Sequence, residues 1–173
     1  NGEISADSDA SADNLIPLLR KAFENSNSKA VMLKINSPGG APVQTTIINS
    51  EIRYLRNKYP DKKLYAVIED IGTSAAYMLA CAADEIYADE ASIVGSIGVL
   101  LDSFGFVDTM KKMGVERRLY TAGSNKGMLD PFSPTKPAQT AMLQKELDLL
   151  HNIFIDYVKE RRGSRLAVTN DMF

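Results

Sequence analysis

Two short apolar runs, KAVMLKI at 29–35 and LYAVIED at 64–70, each give way to a corner rich in small and turn-forming residues, and segments of helical period fill the chain around them. Asn36-Ser37-Pro38-Gly39-Gly40 cannot continue a strand. Residues 13–25 place Leu15, Leu18, Leu19, Ala22 and Phe23 on one stripe, with Pro17 tolerated in the first turn. Residues 43–58 place Ile48, Ile52 and Leu55 on another. Residues 74–83 are apolar all round, which predicts a buried helix. Beyond them the pattern predicts short strands at 85–88 and 96–101, a helix at 104–113, a strand at 115–121 and a Gly/Ser/Asn/Pro-rich loop at 122–134. A final helix at about 136–162 carries Met142, Leu149, Ile153, Phe154 and Tyr157. Strand and helix alternate over short connections, and such a chain folds as an α/β domain with mostly parallel pairing.

Composition narrows the function more than the fold. At 173 residues the length suits one domain with a sizeable core. The net charge is −2 and the basic residues are scattered, so no nucleic-acid-binding face is expected. The single cysteine, Cys81, excludes an intramolecular disulfide and a cysteine-rich metal site. No apolar run approaches the roughly 20 residues that span a bilayer. The carboxylates Asp70, Asp84 and Asp89 have no metal-ligand spacing, and neither a metal nor another cofactor is expected.

The residues with chemistry to offer sit at the corners. Ser74, in IGTSAAY, stands where a strand turns into a helix of small residues. The N–H of Ala75 then has no intrahelical acceptor and can face an oxyanion next to the serine. On this segment alone a helix N-cap is the more frequent role for such a serine. The pair Gly39-Gly40 can turn amides outward where a side chain would block approach, although a tight turn needs the same residues. It is neither a phosphate loop nor a dinucleotide fingerprint, for it lacks both motifs. A serine nucleophile needs a base. His151, the only histidine, lies deep in the last helix, where a surface or core-edge role is commoner. Lys126, in GSNKGM, stands in an otherwise uncharged loop, unlike lysines in solvated clusters such as Asp61-Lys62-Lys63. A neutral lysine amine can serve as a base where burial favours that form. Cys81 reads as a small core residue.

Four segments in order, INSPGG (35–40), IGTSAAYMLACAAD (71–84), ASIVGSIGV (91–99) and YTAGSNKGMLDPF (120–132), resemble the signal peptide peptidase family of serine peptidases, the SppA and SohB type. The resemblance covers about residues 29 to 162. It implies the fold shared with Clp protease and crotonase, with repeated β-β-α units, a parallel sheet and a long C-terminal helix. It implies Ser74 as nucleophile, Lys126 as general base, and Ser96 of GSIG as the serine hydrogen-bonded to that lysine. Gly39 or Gly40, with the amide of Ala75, would form the oxyanion hole. The family commonly carries Ser-Gly-Gly-Tyr where this chain has Ser74-Ala75-Ala76-Tyr77, and alanine retains the N–H donor.

The resemblance further implies an endopeptidase acting on hydrophobic peptides such as remnant signal peptides. The full-length protein would be membrane-associated, with its catalytic domain on the extracytoplasmic side. It would form a homo-oligomeric ring in which serine and lysine can come from neighbouring protomers. Residues 1–173 would be a single catalytic core domain, truncated at both ends relative to the family. Two other readings share the fold: a Clp-type compartmental protease, which places a histidine soon after the serine helix, and a crotonase-like acyl-CoA enzyme. No histidine lies between Ser74 and His151.

Overall fold

The computed structural model describes residues 1–169 and 171–173. They divide into two compact units, residues 1–98 with 153–173, and residues 99–152.

The first unit is built on one long central strand. β1 (Ala30–Ser37) and β2 (Lys63–Thr73) run parallel, in register from Ala30 opposite Lys63 to Ile35 opposite Ile68. The register then slips, so that Ser37 faces Gly72. The other edge of β2 is shared. β3 (Glu85–Ala88) pairs with its first half, at residues 65–68, and β4 (Ile93–Gly95) with its last three residues, 71–73. Every pairing is parallel, as the alternation of strands and helices predicts. The chain start adds one bridge: the Ile4 N–H donates to the Gly39 carbonyl, and the Ile4 carbonyl accepts from Ala41.

Period-two alternation decides what the sheet buries. Leu64, Ala66 and Ile68 of β2 point into the core with Val31 and Ile35 of β1. Against them pack Leu19 and Phe23 of α1 (Ala12–Glu24), Ile48, Ile52 and Leu55 of α2 (Pro42–Lys58), and Ala75, Ala76, Leu79 and Ala80 of α3 (Ala75–Ala80). A smaller cluster joins Met78, Cys81 and Ile97 to Phe154 and Val158 of α5 (Pro137–Arg162). The second unit contains α4 (Val107–Lys112), the loop 113–136 and the first part of α5.

Three sequence expectations shift. The strand expected at 96–101 lies earlier, at 93–95, because β4 must align with the last three residues of β2 to pair at all. No strand forms over 115–121, where every residue is exposed and the run lies against no paired strand. The helix expected at 104–113 shortens to six residues. Among the described residues no helix is long and apolar enough to cross a membrane.

Candidate active site

β2 ends at Thr73 and α3 begins at Ala75, so Ser74 alone turns the chain. It does so at φ 53°, ψ −126°, a conformation that a residue with a Cβ adopts at a cost of about 1–3 kcal/mol. Neighbouring hydrogen bonds hold it there. The Ser74 amide donates to the Gly95 carbonyl at 2.8 Å, and the Ser74 carbonyl accepts from Met78 at 3.0 Å. The Thr73 hydroxyl donates to the Pro38 carbonyl at 3.0 Å, tying β2 to the glycine corner. Although Ser74 occupies the N-cap position, its side chain makes no capping bond and has no partner among the described residues. The hydroxyl is uncommitted.

The glycine corner is fitted to that serine. Gly39 has φ +107°, and a Cβ there would stand 2.8 Å from the Ser74 Cβ and 3.0 Å from the Ala75 nitrogen. At Gly40, with φ +143°, a Cβ would fall 2.2 Å from the Ile4 carbonyl oxygen. Both positions therefore demand glycine, for backbone conformation and for space. Their amides differ. Gly39 donates to the Ser37 hydroxyl at 3.2 Å, whereas the Gly40 amide has no acceptor among the described residues. The Ala75 amide, first in α3, has no intrahelical acceptor either. An uncommitted hydroxyl beside unengaged amides is the equipment of acyl transfer.

Ser96 follows β4 directly and is joined to the corner through the Gly95 carbonyl that binds the Ser74 amide. It too has a positive φ, 50°, and its exposed hydroxyl has no partner among the described residues. Ser74, Ser96, Gly39, Gly40 and Ala75 thus gather in the first unit. Lys126 belongs to the second, where it is exposed. Its loop is tethered by polar bonds: Lys126 N–H donates to the Gly123 carbonyl, and the Gln139 side chain of α5 donates to the Ser124 carbonyl and to Asn125 Oδ1. The third non-glycine residue with positive φ, Leu129 at 70°, lies three residues beyond the lysine. The three such residues among those described fall within the corner and loop motifs read from the sequence.

Two residues were not singled out by sequence reasoning. Ser37 takes up the Gly39 amide, and Thr73 clamps the corner from below. Their signal was a hydroxyl placed immediately before each turn. Cys81 is a core residue, and burial pushes its thiol up to about 11. His151 is half-buried on α5. Among the described residues no cluster of His, Cys, Asp and Glu could hold a metal ion.

The model of peptidase family S49 matches residues 56–171. A Brucella melitensis protein named Na(+)/H(+) antiporter NhaA is 52% identical over 157 residues, 90% of this chain but 21% of that protein. Protease 4 of Haemophilus influenzae is 31% identical over 95% of this chain and 26% of its own length. The chloroplastic serine protease SPPA of Arabidopsis thaliana is 28% identical over 84% of this chain and 21% of its length. The chain spans between about a fifth and a quarter of these relatives, so the antiporter name describes a protein four-fifths of which lies outside the match. The family match takes in Ser74, Ser96 and Lys126 together, and this chain belongs to peptidase family S49.

Proposed function

We propose that this chain carries the catalytic core of a serine endopeptidase, with Ser74 as nucleophile, Lys126 as general base and Ser96 as the hydrogen-bond partner that positions the lysine. The observation that carries this reading is the uncommitted Ser74 hydroxyl on a strained corner beside two unengaged amides. Ser74 Oγ attacks the scissile carbonyl carbon while its proton passes to the neutral lysine amine. The oxyanion is held by the amides of Ala75 and Gly40, with Gly39 leaving the space for close approach. The protonated lysine then gives its proton to the leaving amine. Water attacks the acyl-enzyme by the same route, and Ser74 is restored.

A lysine serves as base only when neutral, and exclusion of water favours that form. Lys126 is exposed in the single chain, so catalysis calls for a covering surface. A second copy in a homo-oligomeric ring would supply it, and the serine and lysine of one site would come from different protomers. Residues 1–173 would act as one catalytic core within a longer, membrane-associated protein, cleaving hydrophobic peptides such as remnant signal peptides outside the cytoplasm. The relatives named as proteases support the peptidase reading.

The test is a fluorophosphonate probe with a fluorogenic apolar peptide. Wild-type protein is expected to be labelled at Ser74 and to lose hydrolysis in step with labelling. Mixing inactive Ser74→Ala and Lys126→Ala proteins is expected to restore part of the activity. Hydrolysis that survives Ser74→Ala would refute the nucleophile. A mixture that stays inactive while subunits exchange would place both residues in one chain.

A further inference from the structure

The opposite end of the sheet from Ser74 carries a basic cleft that the peptidase reading does not use. It is an open hollow of about 260 Å³ lined by Arg53, Arg56 and Asn57 of α2, Pro60 and Lys62 of the following turn, Asp84, and Arg161 in the last turn of α5. All belong to the first unit. Asp84 binds the amide of Leu64, near the start of β2, whereas Ser74 follows its end. Ten strand residues at ~3.3 Å each put the two places about 30 Å apart.

Four cations face one carboxylate here, and that carboxylate is already committed. Asp84 takes the Arg56 guanidinium on Oδ1 and the Leu64 amide on Oδ2, while Arg56 also reaches the Ala82 carbonyl. Arg56 and Asp84 thus neutralise each other. Lys62 has its ammonium protons on the carbonyls of Phe23 and Asn25 and on the Ser28 hydroxyl, all neutral groups, so its charge stays in the cleft while its donors do not. Arg161 lies over the Tyr157 ring and interacts with its hydroxyl, pairs with Glu160 at 3.9 Å, and keeps a buried Nε without an acceptor. Neither the Arg53 guanidinium nor the Asn57 amide has a side-chain partner among the described residues. Arg53 and Lys62 thus lack a counter-ion, Arg161 has only the distant Glu160, and Arg53 and Asn57 have donors to spare.

We propose that this cleft binds a phosphate monoester dianion, with Arg53, Arg161 and Asn57 as its ligands and Lys62 as a fixed positive field. The charge excess suits a dianion better than a single carboxylate, and the planar guanidinium fork matches phosphate oxygens in pairs. The ester can be a soluble metabolite or the headgroup of a lipid.

Calorimetric titration with glycerol 3-phosphate, and co-sedimentation with phosphatidylcholine vesicles with and without phosphatidic acid, separate those sources. Saturable binding of glycerol 3-phosphate assigns the soluble ester, and sedimentation only with phosphatidic acid assigns the headgroup. Either supports the site if Arg53→Ala weakens it about tenfold, the loss expected from one charge-assisted fork. Arg53→Glu should abolish it without changing Tm or peptide hydrolysis, because Arg53 is exposed and bonded to nothing. Arg161→Gln should weaken it as well. Failure of both probes to bind, or binding by Arg53→Glu equal to wild type, would overturn the proposal.

Discussion

The two units differ in what holds them. Every buried residue among those described lies in residues 1–98 and 153–173; none lies in 99–152. The first unit closes layers of alternating side chains over Phe23, Ile48, Ile52 and Leu64, all at most 1% exposed. The second leaves Leu100, Phe104 and Tyr120 at 81%, 77% and 90% exposure. What order it has comes from surface contacts: Phe106 stacks on Phe132 at 5.5 Å, Arg117 lies over Phe132 and reaches Asp130, and the Phe106 amide donates to the Pro131 carbonyl. Apolar surface left in water on this scale is the mark of an interaction face. The first unit has a core of its own, and the second leaves most of its apolar side chains exposed.

Catalysis gives the largest expected effect and spans the contrast. Ser74→Ala in the first unit and Lys126→Ala in the second should each lower kcat/KM by at least about a thousandfold, and the double variant little further, because members of one catalytic unit are not additive. Neither should move Tm by more than a degree or two, since neither side chain fills the core. A steady-state assay beside a thermal melt checks this. A Lys126→Ala protein with near-normal turnover would remove the second unit from the chemistry.

Stability should separate the units next. Phe23→Ala removes a fully buried ring and is expected to cost about 3–5 kcal/mol. Tyr120→Ala should cost less than about 0.5 kcal/mol in the single chain. Urea unfolding of both variants at low protein concentration reads the difference. If Tyr120→Ala becomes costly only at concentrations where the protein self-associates, a second copy is what covers the exposed face.

This contrast also explains what the sequence could tell. The first unit was legible because burial writes a period: alternate residues in β2, and Ile48, Ile52 and Leu55 on α2. The corner residues were legible because positive φ and close approach demand glycine at 39 and 40, and because small residues follow Ser74. In the second unit apolar residues such as Val115, Leu119 and Tyr120 look like a strand, yet no strand among the described residues pairs with them. Their apolarity goes into no core of the unit, and local pattern cannot distinguish exposed apolar residues from buried ones. The basic cleft was illegible for a different reason: Arg53, Lys62 and Arg161 lie scattered over more than 100 positions and meet only in the fold.

Gly39→Ala probes the corner with a smaller effect. Its Cβ would stand within 3.0 Å of Ser74 Cβ, Thr73 O and Ala75 N, at a φ that disfavours any side chain. The serine must shift, and kcat should fall about tenfold to a hundredfold while KM changes little if Ser74 is the nucleophile, as proposed, since misplacement by about 1 Å is enough. Gly114→Ala, in the second unit, also has positive φ but meets nothing within 4 Å, and should leave kcat unchanged. Equal losses at both positions would show that backbone strain, and not the approach to Ser74, sets the requirement.

The smallest effects are those of pH, and they point in opposite directions in the two units. Burial pushes the Cys81 thiol up to about 11 and the Tyr157 hydroxyl up to about 12 in the first unit. A raised acid binds its proton more tightly folded than unfolded, so its contribution is whole below the unfolded value and is lost as pH rises through the folded one. The first unit should therefore lose stability from about pH 9 upward, by on the order of 2 kcal/mol for the thiol once both states have ionised. In the second unit the Ser133 hydroxyl, then the Phe132 amide and Arg117, hold the Asp130 carboxyl below its usual range. A lowered acid contributes above its unfolded value and loses that contribution as pH falls through the folded one. Acid should thus loosen the turn at 130–133 while the first unit's core stays intact. Amide exchange followed by mass spectrometry at acid and alkaline pH reads both: faster exchange confined to 130–133 in acid, and faster exchange in α3 and the end of α5 in alkali. Cys81→Ala should reduce the alkaline loss, and a variant that lost stability above pH 9 as steeply as wild type would assign that loss to the tyrosines Tyr77 and Tyr157, whose hydroxyls burial also raises.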